Sequence, residues 1–181
     1  GIIGLGLGFG MLGLSTGNSA AAFLGFAGAL FHLVNHSLFK GVLFHGAGVV
    51  YQQTHTRNME KLGGLIHRMP AAGILFMIGA AAICALPPFN GFAGEILVFL
   101  GMLGTMTGKV VPFDVMSIGT IALLGLVGAM AVIAFTKLFS ITFLGQPRSG
   151  ATEHAHEPSA AMLVPMGVFA LLCAAIGFFP Q

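Results

Sequence analysis

His32-Leu33-Val34-Asn35-His36-Ser37-Leu38-Phe39-Lys40 lies in the middle of an apolar run covering residues 20–50. The run exceeds the ~20 residues that cross a bilayer core, so it reads as a transmembrane helix that tilts or protrudes. Two imidazoles and one amine recur at four-residue spacing. At about 3.6 residues per turn, His32, His36 and Lys40 fall on one stripe of that helix, about 12 Å long at ~1.5 Å per residue. Ionisable groups at bilayer depth are costly and normally serve a function. All three side chains exchange protons, so the stripe is a candidate proton or cation path. Lys40 sits roughly 7–8 Å past the span midpoint near Asn35, too deep for snorkelling to be its whole explanation. A structural Lys in an internal polar network is the competing reading. His45 is rotated about 140° from Lys40, at ~100° per residue, and reads as a packing or interfacial histidine.

The rest of the chain agrees with a membrane setting. Of 181 residues, 56% are hydrophobic and only 7% charged, and the mean hydropathy is +0.97. Soluble domains carry about 25% charged residues, so this chain cannot cover its own surface in water. A net charge of +2 gives no electrostatic footprint for nucleic acid. Cys84 and Cys173 both fall in apolar runs, and no CxxC pair suggests a disulfide or metal centre. The sequence opens inside an apolar stretch without an initiator Met or cleavable leader and reads as an internal piece of a longer protein.

Five spans are predicted, at about 1–14, 20–50, 70–104, 115–144 and 160–179, forming one all-α polytopic membrane fragment over 1–181. In the first, Gly8-Phe9-Gly10-Met11-Leu12-Gly13 matches GxGxxG, but no preceding strand supports a dinucleotide site. Gly4xxxGly8 and Gly6xxxGly10 read instead as small-residue faces for close helix packing. The third span, opened by Pro70, would be about 52 Å long as a straight helix, against a ~30 Å core. Pro87-Pro88-Phe89-Asn90-Gly91 interrupts it, and the two prolines remove two backbone donors. A discontinuous helix broken near 87–91 is predicted, with Pro87, Pro88 and Gly91 at the break. Irregular backbone at membrane depth survives only inside protein or beside a watery cavity, and transporters use such breaks for ions. Glu95, the lone carboxylate in the apolar segments, falls a turn past the break. It reads as a proton-accepting group or as a cap with no transport role. Lys137 lies about 12 Å from the midpoint of the fourth span. Membership of the proton path and snorkelling to the interface are both open to it. The fifth span is charge-free and reads as scaffold. His154-Ala155-His156 lacks a third ligand at useful spacing, so no metal site is expected.

Loops 51–69 and 145–158 fall on one face and hold Arg57, Lys61, Arg68 and Arg148; the other face has Lys109. The excess of cations makes the first face cytoplasmic, provided the broken segment crosses once.

Three blocks then carry a family resemblance. They are His32 to Lys40 with the following Gly41-Val42-Leu43-Phe44; Glu60-Lys61-Leu62-Gly63-Gly64-Leu65; and Ala85-Leu86-Pro87-Pro88-Phe89-Asn90-Gly91-Phe92-Ala93-Gly94-Glu95. In this order the chain resembles the antiporter-like membrane subunits of respiratory complex I and their relatives. Those include Mrp-type cation/proton antiporters and the membrane subunits of nickel–iron hydrogenases such as formate hydrogenlyase. The run from Phe135 through Lys137 to Arg148 is most similar to the hydrogenase branch. The resemblance implies a fourteen-helix fold with two inverted five-helix repeats, each with a broken helix, of which this chain is most of the second. It implies that His32, His36 and Lys40 feed a central hydrophilic axis. It implies that Glu95 is the terminal proton residue beside the second broken helix, a position held by Lys in some members. Glu at 95 changes the charge of the unprotonated state relative to those members.

The sequence therefore reads as a proton-translocating membrane subunit of a redox-driven complex of hydrogenase or NADH–quinone oxidoreductase type. It would carry no redox cofactor or metal of its own, use His32, His36, Lys40, Glu95 and Lys137, and lie in the cytoplasmic (inner) membrane among other membrane and peripheral subunits. An Mrp-type Na⁺/H⁺ antiporter subunit is the alternative. A bis-His haem carrier is disfavoured because His32 and His36 share one helix stripe, whereas axial ligands normally face each other across helices.

Overall fold

The computed structural model describes residues 1–106 and 111–179, the side chains of 111–113 excepted. Lys109 lies outside the described residues. Those described are helical: α1 (Ile2–Ser15), α2 (Ser19–Thr54), α3 (Pro70–Ile83), α4 (Asn90–Thr105), α5 (Val111–Phe143) and α6 (Ala160–Phe178), with short 3₁₀ turns in the loops. Ser19–Thr54, Asp114–Phe143 and Ala160–Phe178 are each long and apolar enough to cross a membrane. Helices α1, α3 and α4 are apolar but shorter.

Helix α2, about 54 Å long at ~1.5 Å per residue, is the axis of the bundle. Its start follows from the local sequence. Gly17 takes a left-handed φ of 70°, and the Asn18 side chain accepts from Ala21 N at 3.1 Å as the N-cap. Asn18 also donates to Gly104 O at 2.6 Å, tying this turn to the end of α4. Helix α1 runs back along α2 through Gly6, Gly10 and Gly13, which lie against Gly25, Ala29 and Ala22. The predicted Gly6xxxGly10 face is thus packed. Gly4 and Gly8 meet nothing across from them, because they point to the opposite side of α1.

The broken segment passes α2 in one direction. Gly46 lies against Phe76 and Gly79 against Val42, so α3 runs antiparallel along the C-terminal half of α2. Asn90 meets Asn35, Gly28 lies against Val98, and Gly25 against Gly101, so α4 continues along the N-terminal half. Helix α6 runs parallel to α3, with Met166 near Gly46 and Phe169 against Gly41. Phe39, Val42, Phe76, Phe143 and Met166 form the main core; Phe9, Val98, Met102 and Leu124 form a smaller one. Helix α5 is mostly exposed, with Leu123, Leu126, Val127, Met130 and Ile133 each more than half accessible. Lipid tails or further helices solvate such a face without the cost it would have in water.

The two loops at the C-terminal end of α2 are stitched together. Arg148 Nη1 donates to Leu62 O at 3.2 Å and to Ile141 O at 3.1 Å. Ser149 Oγ donates to Lys61 O at 2.6 Å, and Gly64 N to Leu144 O at 2.9 Å. The loop over 145–158, which reads in sequence as solvated, is mostly exposed and also clamps the bundle. Glu157 makes the same point. Its two carboxylate oxygens accept from Ala71 N at 3.1 Å and Ala72 N at 3.0 Å, capping α3, whose own N-cap residue Met69 supplies no side-chain bond. Glu157→Ala is expected to destabilise the fold by about 1–2 kcal/mol, the usual cost of losing a cap, read as a lowered melting temperature in detergent. Glu157→Gln, with one acceptor oxygen, should fall between.

Candidate functional site

The break lies between Ile83 and Asn90. Leu86 N reaches back to Ala81 O at 3.1 Å, and Ala85 N, at a left-handed φ of 51°, to Ala82 O at 3.1 Å. These bonds satisfy the last carbonyls of α3, as helix ends require. Pro87 and Pro88, joined by a cis peptide bond, have no N–H to satisfy. Phe89 N closes a turn onto Leu86 O at 3.0 Å. The inner side of the break is sealed by protein: Gly91 lies against Ala82 O, and Gly177 of α6 against Pro88 O and Phe89. Cys84, Asn90 and Gly91 are buried, whereas Leu86, Pro87 and Pro88 are exposed on the outer side.

Where α4 starts, it is fastened to the polar stretch of α2 by two amides. Asn35 Nδ2 donates to Asn90 O at 3.0 Å. Asn90 Nδ2 donates to Asn35 Oδ1 at 3.2 Å and to Asn35 O at 3.4 Å. Both side chains are 0% exposed. One turn along α4, Gly94 admits the His32 ring: a Cβ there would stand 2.8 Å from His32 Nδ1 and 3.2 Å from Asn35 Nδ2. His32 is 4% exposed. Glu95, half-buried, follows Gly94.

The stripe behaves as a gradient. His32 is buried, His36 half-buried and Lys40 exposed. Each four-residue step turns about 40° beyond a full circle, so the stripe leaves the α4 seam as it climbs. The His32 and His36 ring centroids are 6.3 Å apart, and Phe39 packs on both rings. That separation suits a bridging water rather than a direct bond. Lys40 opens on a cavity of about 410 Å³ between α2, α3 and α5. Phe44, Tyr51, Phe76 and Phe143 wall it, and Arg57 stands at the loop end, 5.0 Å over the Tyr51 ring.

Lys137 is exposed on α5; its neighbours Phe135 and Leu138 line the cavity, and it does not. His45 bonds Gly41 O through Nδ1 at 2.8 Å and packs on Phe169, the packing role its angle predicts. Both cysteines are free. Among the described residues, no group of three or more His, Cys, Asp or Glu is placed to hold a metal. Residue types alone missed Asn35, Asn90 and Gly94. Asn35 was visible three residues from His32, on the same face; Asn90 reads by itself only as a turn former.

The profile of the NADH:quinone oxidoreductase/Mrp antiporter transmembrane family matches residues 6–122. Hydrogenase-4 component B of Escherichia coli is 41% identical over 176 residues, covering 97% of this chain and 26% of that protein. Formate hydrogenlyase subunit 3 of Escherichia coli is 42% identical over 180 residues, covering 98% of this chain and 29% of that protein. The chain thus spans under a third of the length of these relatives. Among solved structures, a chain of the membrane-bound sulfane sulfur reductase, an archaeal respiratory membrane complex, superposes with a TM-score of 0.70 at 23% identity. That match covers 85% of this chain and 24% of the other, and shows a shared fold.

Proposed function

This chain belongs to the NADH:quinone oxidoreductase/Mrp antiporter transmembrane family, and we propose that it conducts protons within a redox-driven membrane complex of hydrogenase type. The observation that carries the reading is the graded series Lys40, His36, His32, which leads from an open cavity to the buried start of the half-helix bearing Glu95. The identity to hydrogenase-4 component B and formate hydrogenlyase subunit 3 supports the branch. In this reading a proton enters at Lys40, passes the two imidazoles, whose ordinary range lies near neutrality, and is accepted by the Glu95 carboxylate. Lys137, outside the seam, tunes the field on the α5 side. Moving one charge against 100 mV takes about 2.3 kcal/mol. The conduit cannot supply that, so neighbouring redox-active subunits must. The protein lies in the cytoplasmic membrane, with loops 51–69 and 145–158 on the cytoplasmic side, where Arg57, Lys61, Arg68 and Arg148 belong.

Inverted vesicles holding the complete complex test this. Adding the electron donor in sodium-free buffer should acidify the lumen, followed with a ΔpH-sensitive dye. The Mrp side of the family favours a second reading, cation/proton antiport. Proton movement that needs a Na⁺ gradient and ignores the donor would establish that reading and remove the first.

A further inference from the structure

The amide pair uses most of the polar capacity at the start of α4. Asn35 Nδ2, Asn35 Oδ1 and Asn90 Nδ2 are all committed to each other's residues. Among the described residues, two buried side-chain polar atoms are left without a protein partner, His32 Nδ1 and Asn90 Oδ1. They belong to side chains 4% and 0% exposed: His32, which lies against Gly94 of α4, and Asn90, which opens that helix. An uncompensated polar atom at such depth is costly, and buried waters are found where they can bond to groups of this kind. One of the two atoms can only accept; the other donates when its ring nitrogen carries a proton. That is the complement a single water needs to bridge them.

We propose that Asn35 and Asn90 are positioning residues that hold α4 against α2 so that one ordered water joins His32 Nδ1 to Asn90 Oδ1, and that this water is the relay from the α2 histidines to the Glu95 half-helix. The inference rests on the proton-conducting reading above. The step moves a proton and no electrons. Protonated His32 gives its Nδ1 proton to the water, and the water releases one of its own toward the Glu95 carboxylate. The imidazole ends neutral and the carboxylate ends as the acid. Asn90 never gains or loses a proton; it aims the water. Gly94 belongs to the same device, because a methyl there would stand against His32 Nδ1.

The test uses the complete complex in inverted vesicles and reads protons moved per donor oxidised, normalised to assembled complex on native gels. Asn90→Leu and Gly94→Ala should each lower that ratio at least about tenfold, equivalent to ~1.4 kcal/mol on the transfer barrier. Asn90→Asp, which as the neutral acid keeps an oxygen where Oδ1 stands and an O–H donor in place of Nδ2–H, should recover most of it. A residue that only packed the helices would not separate Asp from Leu in this way. If Asn90→Leu fails to assemble, Asn35→Ala, which leaves α4 unaltered, replaces it with the same expected loss. A cryo-EM map of the complex that resolves waters should show density within hydrogen-bonding distance of both atoms. A normal ratio in assembled Asn90→Leu or Asn35→Ala, an Asn90→Asp no better than Leu, or an empty gap in the map overturns the proposal. Loss in Lys40→Met and Glu95→Gln alongside normal Asn variants would remove the relay and leave the conduit standing. Normal ratios in all of them would remove both.

Discussion

Lys40→Ala or Glu95→Ala, each made in the complete protein, is expected to abolish proton translocation while donor oxidation stays measurable. The two residues occupy the ends of the series. Lys40 is exposed at the cavity and His32 is sealed against α4, with Glu95 one residue beyond Gly94. Between them the proton only passes over the imidazoles of His36 and His32, because a charge held uncompensated in a low-dielectric interior costs several kcal/mol. Removing a terminal acceptor thus leaves no stable stop for the proton. A rise of ~2.7 kcal/mol in the barrier already slows transfer about a hundredfold. Glu95→Gln keeps the shape and the half-buried position and should fail equally, which separates lost protonation from lost packing. Dye quenching per donor oxidised, in vesicles with matched amounts of complex, is the measurement. Full pumping by both Ala variants would end the assignment.

Gly91→Ala is expected to have the largest effect on the fold. The added methyl would overlap the Ala82 carbonyl and approach Ala85 Cα. Both are backbone, so no side-chain rotamer can relieve the contact. Overpacking of this kind costs about 1–3 kcal/mol, sometimes more, and here the backbone must shift at the one place where α3 and α4 are joined. The start of α4 would lift from Asn35, breaking the three amide bonds that fasten it. The expected outcome is a sharply reduced yield of assembled complex on native gels, with pumping lost in what remains. Gly8→Ala serves as the comparison, because a Cβ on Gly8 meets nothing within 4 Å. It should assemble normally; equal loss in both variants would refute the steric account.

Part of the site was legible in the residues. Spacing placed His32, His36 and Lys40 on one stripe, and excess length with Pro87-Pro88 marked the break. The loops were less legible. Arg148 and Glu157 look like solvated charges in sequence, but Arg148 also reaches Leu62 O, 86 residues away, and Glu157 two amides 85–86 residues away. The carbonyls and amide nitrogens they bind are anonymous in sequence, since every residue carries them. Lys137 shows a related difficulty. Depth along α5 is readable from its position in the apolar run, whereas the direction in which it faces depends on how α5 is rotated against α3 and α4.

What the sequence determined alone was the class and the axis. Apolar runs of bilayer length with so few charges can only bury their backbone polar groups as helices, and periodicity ranks the side chains around each helix. Only the tertiary structure decided which point of the stripe is sealed and by what. Periodicity gives an angle about a helix's own axis and nothing about its neighbours. The pairing of Asn35 with Asn90, 55 residues apart, arises because α4 can approach α2 closely where Gly94 and Gly28 stand. Two buried amides in such contact must satisfy each other.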